Sequence, residues 1–188
     1  MKEYEDKTYE AINFAEEGLP KGKYDYCTFT NCSLSKLDLT SYSFVECTFN
    51  DCDLSLSKIM DAKFTDVTFE NCKLLGLHFD TADQFIFSAS FDDCRLDNSV
   101  FYQMDLRKVK FRNCRLFEVD LSEADCSKVV FDDCDLTRTV FDQTNLLGAD
   151  LRNTKGYQID PNNNKIKGAK FSKQGIAGLL HEFGIIIE

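Results

Sequence analysis

Large apolar residues recur at every fifth position of this chain. From Phe29 the series runs Leu34, Leu39, Phe44, Phe49, Leu54, Ile59, Phe64, Phe69, Leu74 and Phe79, and Tyr24, Leu19 and Phe14 extend it backwards. A second register opens at Ile86 and continues through Phe91, Leu96, Phe101, Leu106, Phe111, Leu116, Leu121, Cys126, Phe131, Leu136, Phe141 and Leu146 to Leu151. Two extra residues around Thr81–Gln84 separate the registers and read as a bulge. The residue two before each large one is mostly small, as in Cys27, Cys32, Cys47, Cys52, Cys72, Ala89, Cys94 and Ala149. Polar residues fill most of the rest. A period of five matches neither a helix, near 3.6, nor a flat strand, at 2.

In extended backbone, side chains two apart point the same way, so the large and small positions share one interior. A period of twenty is superimposed: Cys32, Cys52 and Cys72 keep it, as do Cys94, Cys114 and Cys134, and Phe29, Phe49 and Phe69. Four pentads therefore make one coil with four faces. The pattern predicts an all-β fold, a right-handed quadrilateral β-helix within residues 1–155, its pentads starting at about residue 9. Roughly six coils at about 4.8 Å each would make a rod about 30 Å long, with like residues laddered in a dry interior.

The segments Cys52-Asp53-Leu54-Ser55-Leu56, Cys134-Asp135-Leu136-Thr137-Arg138 and Ala149-Asp150-Leu151-Arg152-Asn153 resemble the pentapeptide-repeat family. Residues 156–188 break the pattern. Tyr157 to Asn164 read as a polar loop, Ser172 as a helix N-cap, and Lys173–Phe183 as an amphipathic helix ended by Gly184. A solenoid end must be covered, which makes this segment a cap within the same domain. Its apolar residues, Phe171, Ile176, Leu179, Leu180, Phe183, Ile185, Ile186 and Ile187, exceed what a cap needs and predict a homodimer contact. The tail is similar to the carboxyl end of the Qnr and MfpA quinolone-resistance branch. That resemblance implies dimerisation through this end. It also implies an anionic rod shaped like duplex DNA, which docks on DNA gyrase or topoisomerase IV and protects it from quinolone-type inhibitors.

Charge bears on that implication. The 188 residues carry a formal net charge of −10, which opposes direct capture of nucleic-acid phosphates. On the face beginning at Phe29, Asp51, Glu70, Asp92, Asp93, Asp132, Asp133 and Asp150 outweigh Lys110, Arg112 and Arg152, a net −4. On the opposite face, beginning at Leu39, Asp38, Asp61, Asp80, Asp120, Glu123 and Asp142 face only Lys58, a net −5. The Leu34 face stands at +1 and the Tyr24 face at zero. Two acidic tracks on opposite sides of a rod could attract a basic DNA-binding cleft. The same acids have a second reading, because Asp and Asn are favoured in tight turns. A scaffold for an unknown protein partner is the alternative function.

Little else suggests chemistry. Eight of the nine cysteines occupy small inward positions and Cys126 a large one, so all nine read as buried apolar groups. Neither metal-ligand spacing nor a CxxC pair is present. His78 and His181 have no evident nucleophile beside them, and no glycine-rich phosphate loop occurs. No enzyme activity, cofactor or metal is expected. Nine thiols without an export signal point to a reducing cytoplasm, and no apolar run is long enough to span a bilayer.

Overall fold

The computed structural model describes residues 1–186 and shows a parallel β-solenoid. Its strands are short: β1 (Lys2–Glu5), β2 (Thr8–Glu10), β3 (Gly22–Asp25), β4 (Thr28–Thr30), β5 (Ser43–Val45), β6 (Thr48–Asn50), β7 (Lys63–Thr65), β8 (Val67–Glu70), β9 (Ala89–Asp92), β10 (Lys110–Arg112), β11 (Phe131–Asp132), β12 (Asp150–Leu151) and β13 (Lys170–Phe171). Each pairs in parallel with the strand one coil away, as Phe29 with Phe49, Phe49 with Phe69 and Phe111 with Phe131. The corners between faces explain why strands stay so short. Asn31, Asp51, Asn71, Asp93, Asn113 and Asp133 stand one above another at φ of 51–53°. Asn and Asp tolerate this left-handed conformation better than other side-chain-bearing residues. Each such residue turns the chain and stops the strand.

The core is a set of ladders. On the Phe29 face, Tyr9, Phe29, Phe49, Phe69, Phe91, Phe111 and Phe131 stack with ring centroids 4.6–5.4 Å apart. At the neighbouring corner, Phe44 meets Phe49 edge-on at 5.4 Å. Small inward residues close the space between columns. Their polar atoms reach the carbonyl of a large residue in the coil beneath: Cys47 Sγ donates to Tyr24 O at 3.2 Å, Ser57 Oγ to Leu34 O at 2.6 Å, and Thr139 Oγ1 to Leu116 O at 2.6 Å. All nine cysteines are free thiols and buried. Burial pushes the Cys47 thiol up to about 12 and raises that of Cys126 as well.

The ladder is longer than the pentad count suggests. Lys2–Glu5 already pair with Gly22–Asp25, and Tyr9 with Phe29, so the first coil lies ahead of the first regular pentad. At the other end Asn145 bridges Lys165, and Asp150 and Leu151 pair with Lys170 and Phe171. From Tyr9 to Phe171 the coils number about eight, a rod about 38 Å long at about 4.8 Å per coil. The frame expected to end at Leu151 in fact continues through Gly156, Pro161, Ile166 and Phe171, with Thr154, Asn164 and Ala169 in the small slots. Gly156 is needed where it stands: it has φ 79°, and a Cβ there would lie 2.1 Å from Thr137 Oγ1. Tyr157 and Ile159 supply the buried apolar groups that Gly156 and Pro161 lack.

Three local expectations change. The inserted residues fold as two 3₁₀ turns, Phe79–Thr81 and Gln84–Ile86, the second capped by the Asp83 carboxylate on Phe85 N at 3.2 Å. Ile86, expected inside, is 42% exposed, and Phe87 fills the core instead, edge-on to Phe79 at 5.7 Å. The extra residues rotate the chain, and the larger aromatic ring takes the buried slot. Phe14–Glu17, read as a pentad, forms a one-turn helix, α1, with Phe14 buried. The expected helix over Lys173–Phe183 is instead two 3₁₀ turns, Ile176–Leu179 and His181–Phe183. Gly175 and Gly178 favour that outcome, since glycine weakens an α-helix. Both also lie against Tyr157: a Cβ on Gly175 would meet its Oη at 2.2 Å and one on Gly178 its carbonyl oxygen at 2.2 Å.

Candidate partner-binding faces

The register puts the predicted acids on two opposite faces, and their surroundings sort them. Several carboxylates serve the coil that carries them. Asp38 accepts Thr40 N at 3.0 Å and Asp120 accepts Ser122 N at 2.8 Å, each closing its own turn. The Thr40 hydrogen bonds hold the Asp38 carboxyl below its ordinary range. Asp92 is clamped by Arg112 from the next coil, with Nε at 2.8 Å, and Asp132 accepts Asn153 Nδ2 at 3.1 Å. Asn71 bonds Asp51, and Asn163 bonds Asp142. Asp80 lies 3.4 Å from His78 Nδ1. Glu123 accepts Tyr102 Oη at 2.9 Å and Gln103 Nε2 at 2.7 Å.

Asp61, Glu70, Asp93 and Asp133 are exposed and make no side-chain hydrogen bond or ion pair among the described residues. Asp51, Glu70, Asp92 and Asp93 border a surface hollow of about 540 Å³ on the Phe29 face. Asp61 lines another, of about 660 Å³, beside the inserted turn that carries the fully exposed Phe85. Asp51, Asp61, Asp93, Glu123 and Asp133 all occupy left-handed corners. Backbone geometry thus accounts for part of the acidity. It does not by itself set the sign of a face, because the neutral faces turn the same corners with Lys36, Lys128 and Arg138 as well as with Asp6, Glu46, Asp66 and Glu118.

Net charge can be set against length. Ten net negative charges over about 38 Å is one per about 3.8 Å of axis, less than half the density of duplex DNA at one per about 1.7 Å. The Leu34 face holds its balance by pairing: Arg95 and Arg115 converge on buried Asp97 at 3.3 and 2.8 Å, and Arg138 meets Glu118 at 2.8 Å.

The expected dimer residues lie at the carboxyl end with graded exposure. Phe171 is half-buried against Tyr157, ring centroids 5.6 Å apart, and Leu179 and Leu180 are also half-buried. Ile176, Phe183 and Ile185 are each more than half exposed, and Ile186 is 87% exposed. Ile187 lies outside the described residues. Pentad spacing alone did not place Asp160 or the lysines after residue 155 on the rod, because Gly156 and Pro161 interrupt the apolar column there.

A family model described as a pentapeptide repeat region matches residues 22–101 and 85–179. Among solved structures, a trypsin-treated variant of QnrB1, a plasmid-mediated fluoroquinolone resistance protein, superposes with a TM-score of 0.65 at 18% identity, covering 100% of both chains. Full-length QnrB1 gives 0.53 at 15% identity over 98% of this chain and 100% of its own. A second trypsin-treated variant gives 0.55 at 17% identity over 97% and 99%. At such identities the likeness establishes the fold. No curated protein matches the chain. No helix among the described residues is long and apolar enough to cross a membrane.

Proposed function

This chain belongs to the pentapeptide-repeat family, and from that premise we propose that it is a non-enzymatic binding protein acting on a type II topoisomerase, DNA gyrase or topoisomerase IV. Its acidic Phe29 and Leu39 faces enter the basic cleft that otherwise holds DNA, and occupancy protects the enzyme from quinolone-type inhibitors. One observation carries the reading: the negative charge lies on opposite sides of a rod whose other two faces are near neutral overall. Such an arrangement attracts a basic cleft at long range and fixes the rod's rotation within it. Asp61, Glu70, Asp93 and Asp133 do most of the docking, since their carboxylates are not engaged by the rod itself. Exposed Ile176, Phe183, Ile185 and Ile186, with half-buried Phe171, Leu179 and Leu180, join two copies end to end in a cytoplasmic homodimer.

The test is a gyrase supercoiling assay with purified protein, with and without a fluoroquinolone. Protection by the native chain, lost when the four free acids become Asn or Gln, supports the reading; no inhibition, protection or binding removes it. The low axial charge density favours a second reading, a scaffold for another protein partner, and a pull-down that captures no topoisomerase would support it.

A further inference from the structure

The Tyr24 face is near neutral in total, yet the stacking divides it into oppositely charged halves. Over the first four coils its outward side chains include Glu3, Glu5, Asp6, Asp25, Glu46 and Asp66, with Lys23 and Lys63 the opposing cations. Over the last four, lysines dominate. The bridges Asp105 to Asp125 and Asn145 to Lys165 put residues 105–110, 125–130, 145–150 and 165–170 in successive coils. Gly148 sits directly over Lys128, its Cβ direction 3.7 Å from that side chain. Lys108, Lys110, Lys128, Lys165 and Lys167 are all exposed and form no ion pair among the described residues. The cations that do pair nearby are Arg107, with Asp105 at 2.6 Å, and Lys170, with Asp150 at 3.8 Å.

Two aliphatic side chains lie among these lysines. Val130, 53% exposed, stacks between Lys110 and Asp150, and Leu147, 39% exposed, lies next to Gly148. We propose that this corner of the C-terminal four coils is a docking surface for an acidic protein segment that carries aliphatic or aromatic side chains. The lysines supply the complementary charge, and Val130 and Leu147 supply contact area that a phosphate chain could not use. The acidic first half of the same face repels such a segment and confines it to the C-terminal end. The surface lies along the edge between the Tyr24 face and the acidic Phe29 face, to which Lys110 and Val130 belong, and it requires nothing of the topoisomerase reading.

Fluorescence anisotropy on the full chain tests it, with a labelled peptide of repeated Asp-Glu-Leu units as probe. Comparison probes are poly-glutamate of equal charge, a DNA duplex and phosphatidylserine vesicles. The peptide is expected to bind most tightly of the four, and more weakly as salt rises. Reversing Lys108→Glu and Lys128→Glu together is expected to weaken it about tenfold. Val130→Ser with Leu147→Ser is expected to weaken the peptide about threefold and leave poly-glutamate unchanged. All four positions are on the surface, and a melt by circular dichroism checks that the variants fold. Absence of peptide binding, equal or tighter binding of the duplex or vesicles, or indifference to the lysine reversals overturns the proposal. So does salt-sensitive self-association abolished by the same reversals, which would assign the surface to a second copy. No topoisomerase enters the readout, so this result and the supercoiling result fail independently.

Discussion

The first four coils and the last four share one backbone and one continuous Phe29 column, and differ in what fills the Tyr24 face. In the first half, Tyr24, Phe44 and Phe64 stack on one face and Phe29, Phe49 and Phe69 on the next, with thiols of Cys27, Cys32, Cys47, Cys52 and Cys72 in the small slots. In the second half the Tyr24 face continues as Leu106, Cys126 and Leu146, and the small slots hold Val109, Val129, Thr139, Thr144 and Asn164. Thr144 Oγ1 donates to Leu121 O at 2.9 Å, and Asn164 ties three backbone groups at once. A coil therefore constrains slot volume and leaves the means of cohesion open: the Phe29 column keeps stacked rings through Phe131 and thiols through Cys134, while the Tyr24 face passes from stacked rings to aliphatic packing and slot hydrogen bonds. Outward charge follows its own pattern, which is how one face can change sign along its length.

The largest effect expected is Phe69→Ala, which removes a fully buried ring stacked between Phe49 and Phe91 at 5.1 and 5.3 Å. The loss should be about 3–5 kcal/mol by urea denaturation. Leu136→Ala, in the leucine column of the Leu34 face, should cost less, because each lost aromatic pair is worth about 0.5–1.5 kcal/mol beyond its area. Equal costs would show that the stack adds nothing over packing volume. Next comes Asn164→Ala. Its Oδ1 accepts Thr144 N at 2.9 Å, and its Nδ2 donates to Phe141 O and Asp160 O, each at 3.0 Å. Unpaired buried groups cost about 1–3 kcal/mol, so a fall in thermal midpoint of that scale is expected. An unchanged midpoint would mean that water replaces the amide and that the second half is not held by its polar slots.

These two sites also differ in how far they could be read from sequence. Phe69 belongs to a column whose twenty-residue period is visible without coordinates, and the same period sets the four faces and the charge on each. Asn164 looked like loop because Gly156 and Pro161 occupy two large slots, removing the apolar marks that define the frame. The last coil carries Lys165 and Lys167 on the Tyr24 face and Lys170 on the Phe29 face, and the first carries Glu3, Glu5 and Asp6, so a sum over the regular pentads alone hides both charged ends of the Tyr24 face. Ile86 and Phe87 posed a different problem: once two residues are inserted, adjacent apolar residues compete for one slot, and only packing against Phe64 and Phe79 decides. The tail misled through spacing, since Ile176, Leu179 and Leu180 keep helical intervals while Gly175 and Gly178 bring the backbone too close to Tyr157 for a larger residue.

The thiols offer a chemical contrast of smaller energetic weight. Burial raises the Cys47 thiol to about 12, whereas a free thiol ionises near 8.5. At pH 8 a disulfide reagent such as dithionitrobenzoate should react slowly with the folded chain, because all nine thiols are buried, and with all nine once it is denatured. Rapid reaction of the native protein would show that the coils open locally. Cys47→Ser should be tolerated, with a cost under about 1.5 kcal/mol, because Ser57 and Ser99 already make the equivalent bond to the coil beneath.

The smallest effect expected is the pH dependence of the second half. The Arg107 hydrogen bonds hold the Asp105 carboxyl below its ordinary range, and those of Arg152 do the same for Asp150, with Lys170 adding to the pull. A carboxylate whose folded pKa is depressed contributes stability that is fully present above its unfolded value, near 3.9. That contribution is lost as pH falls through the folded value. Both sites are solvent-screened, so each contributes little alone. Thermal midpoints of the native chain and of Asp105→Asn with Asp150→Asn should accordingly differ most near neutral pH and converge below about pH 4. No gap at any pH would mean that these carboxylates act through their turn hydrogen bonds, which asparagine can also make, and that the charge of the second half contributes to docking and not to folding.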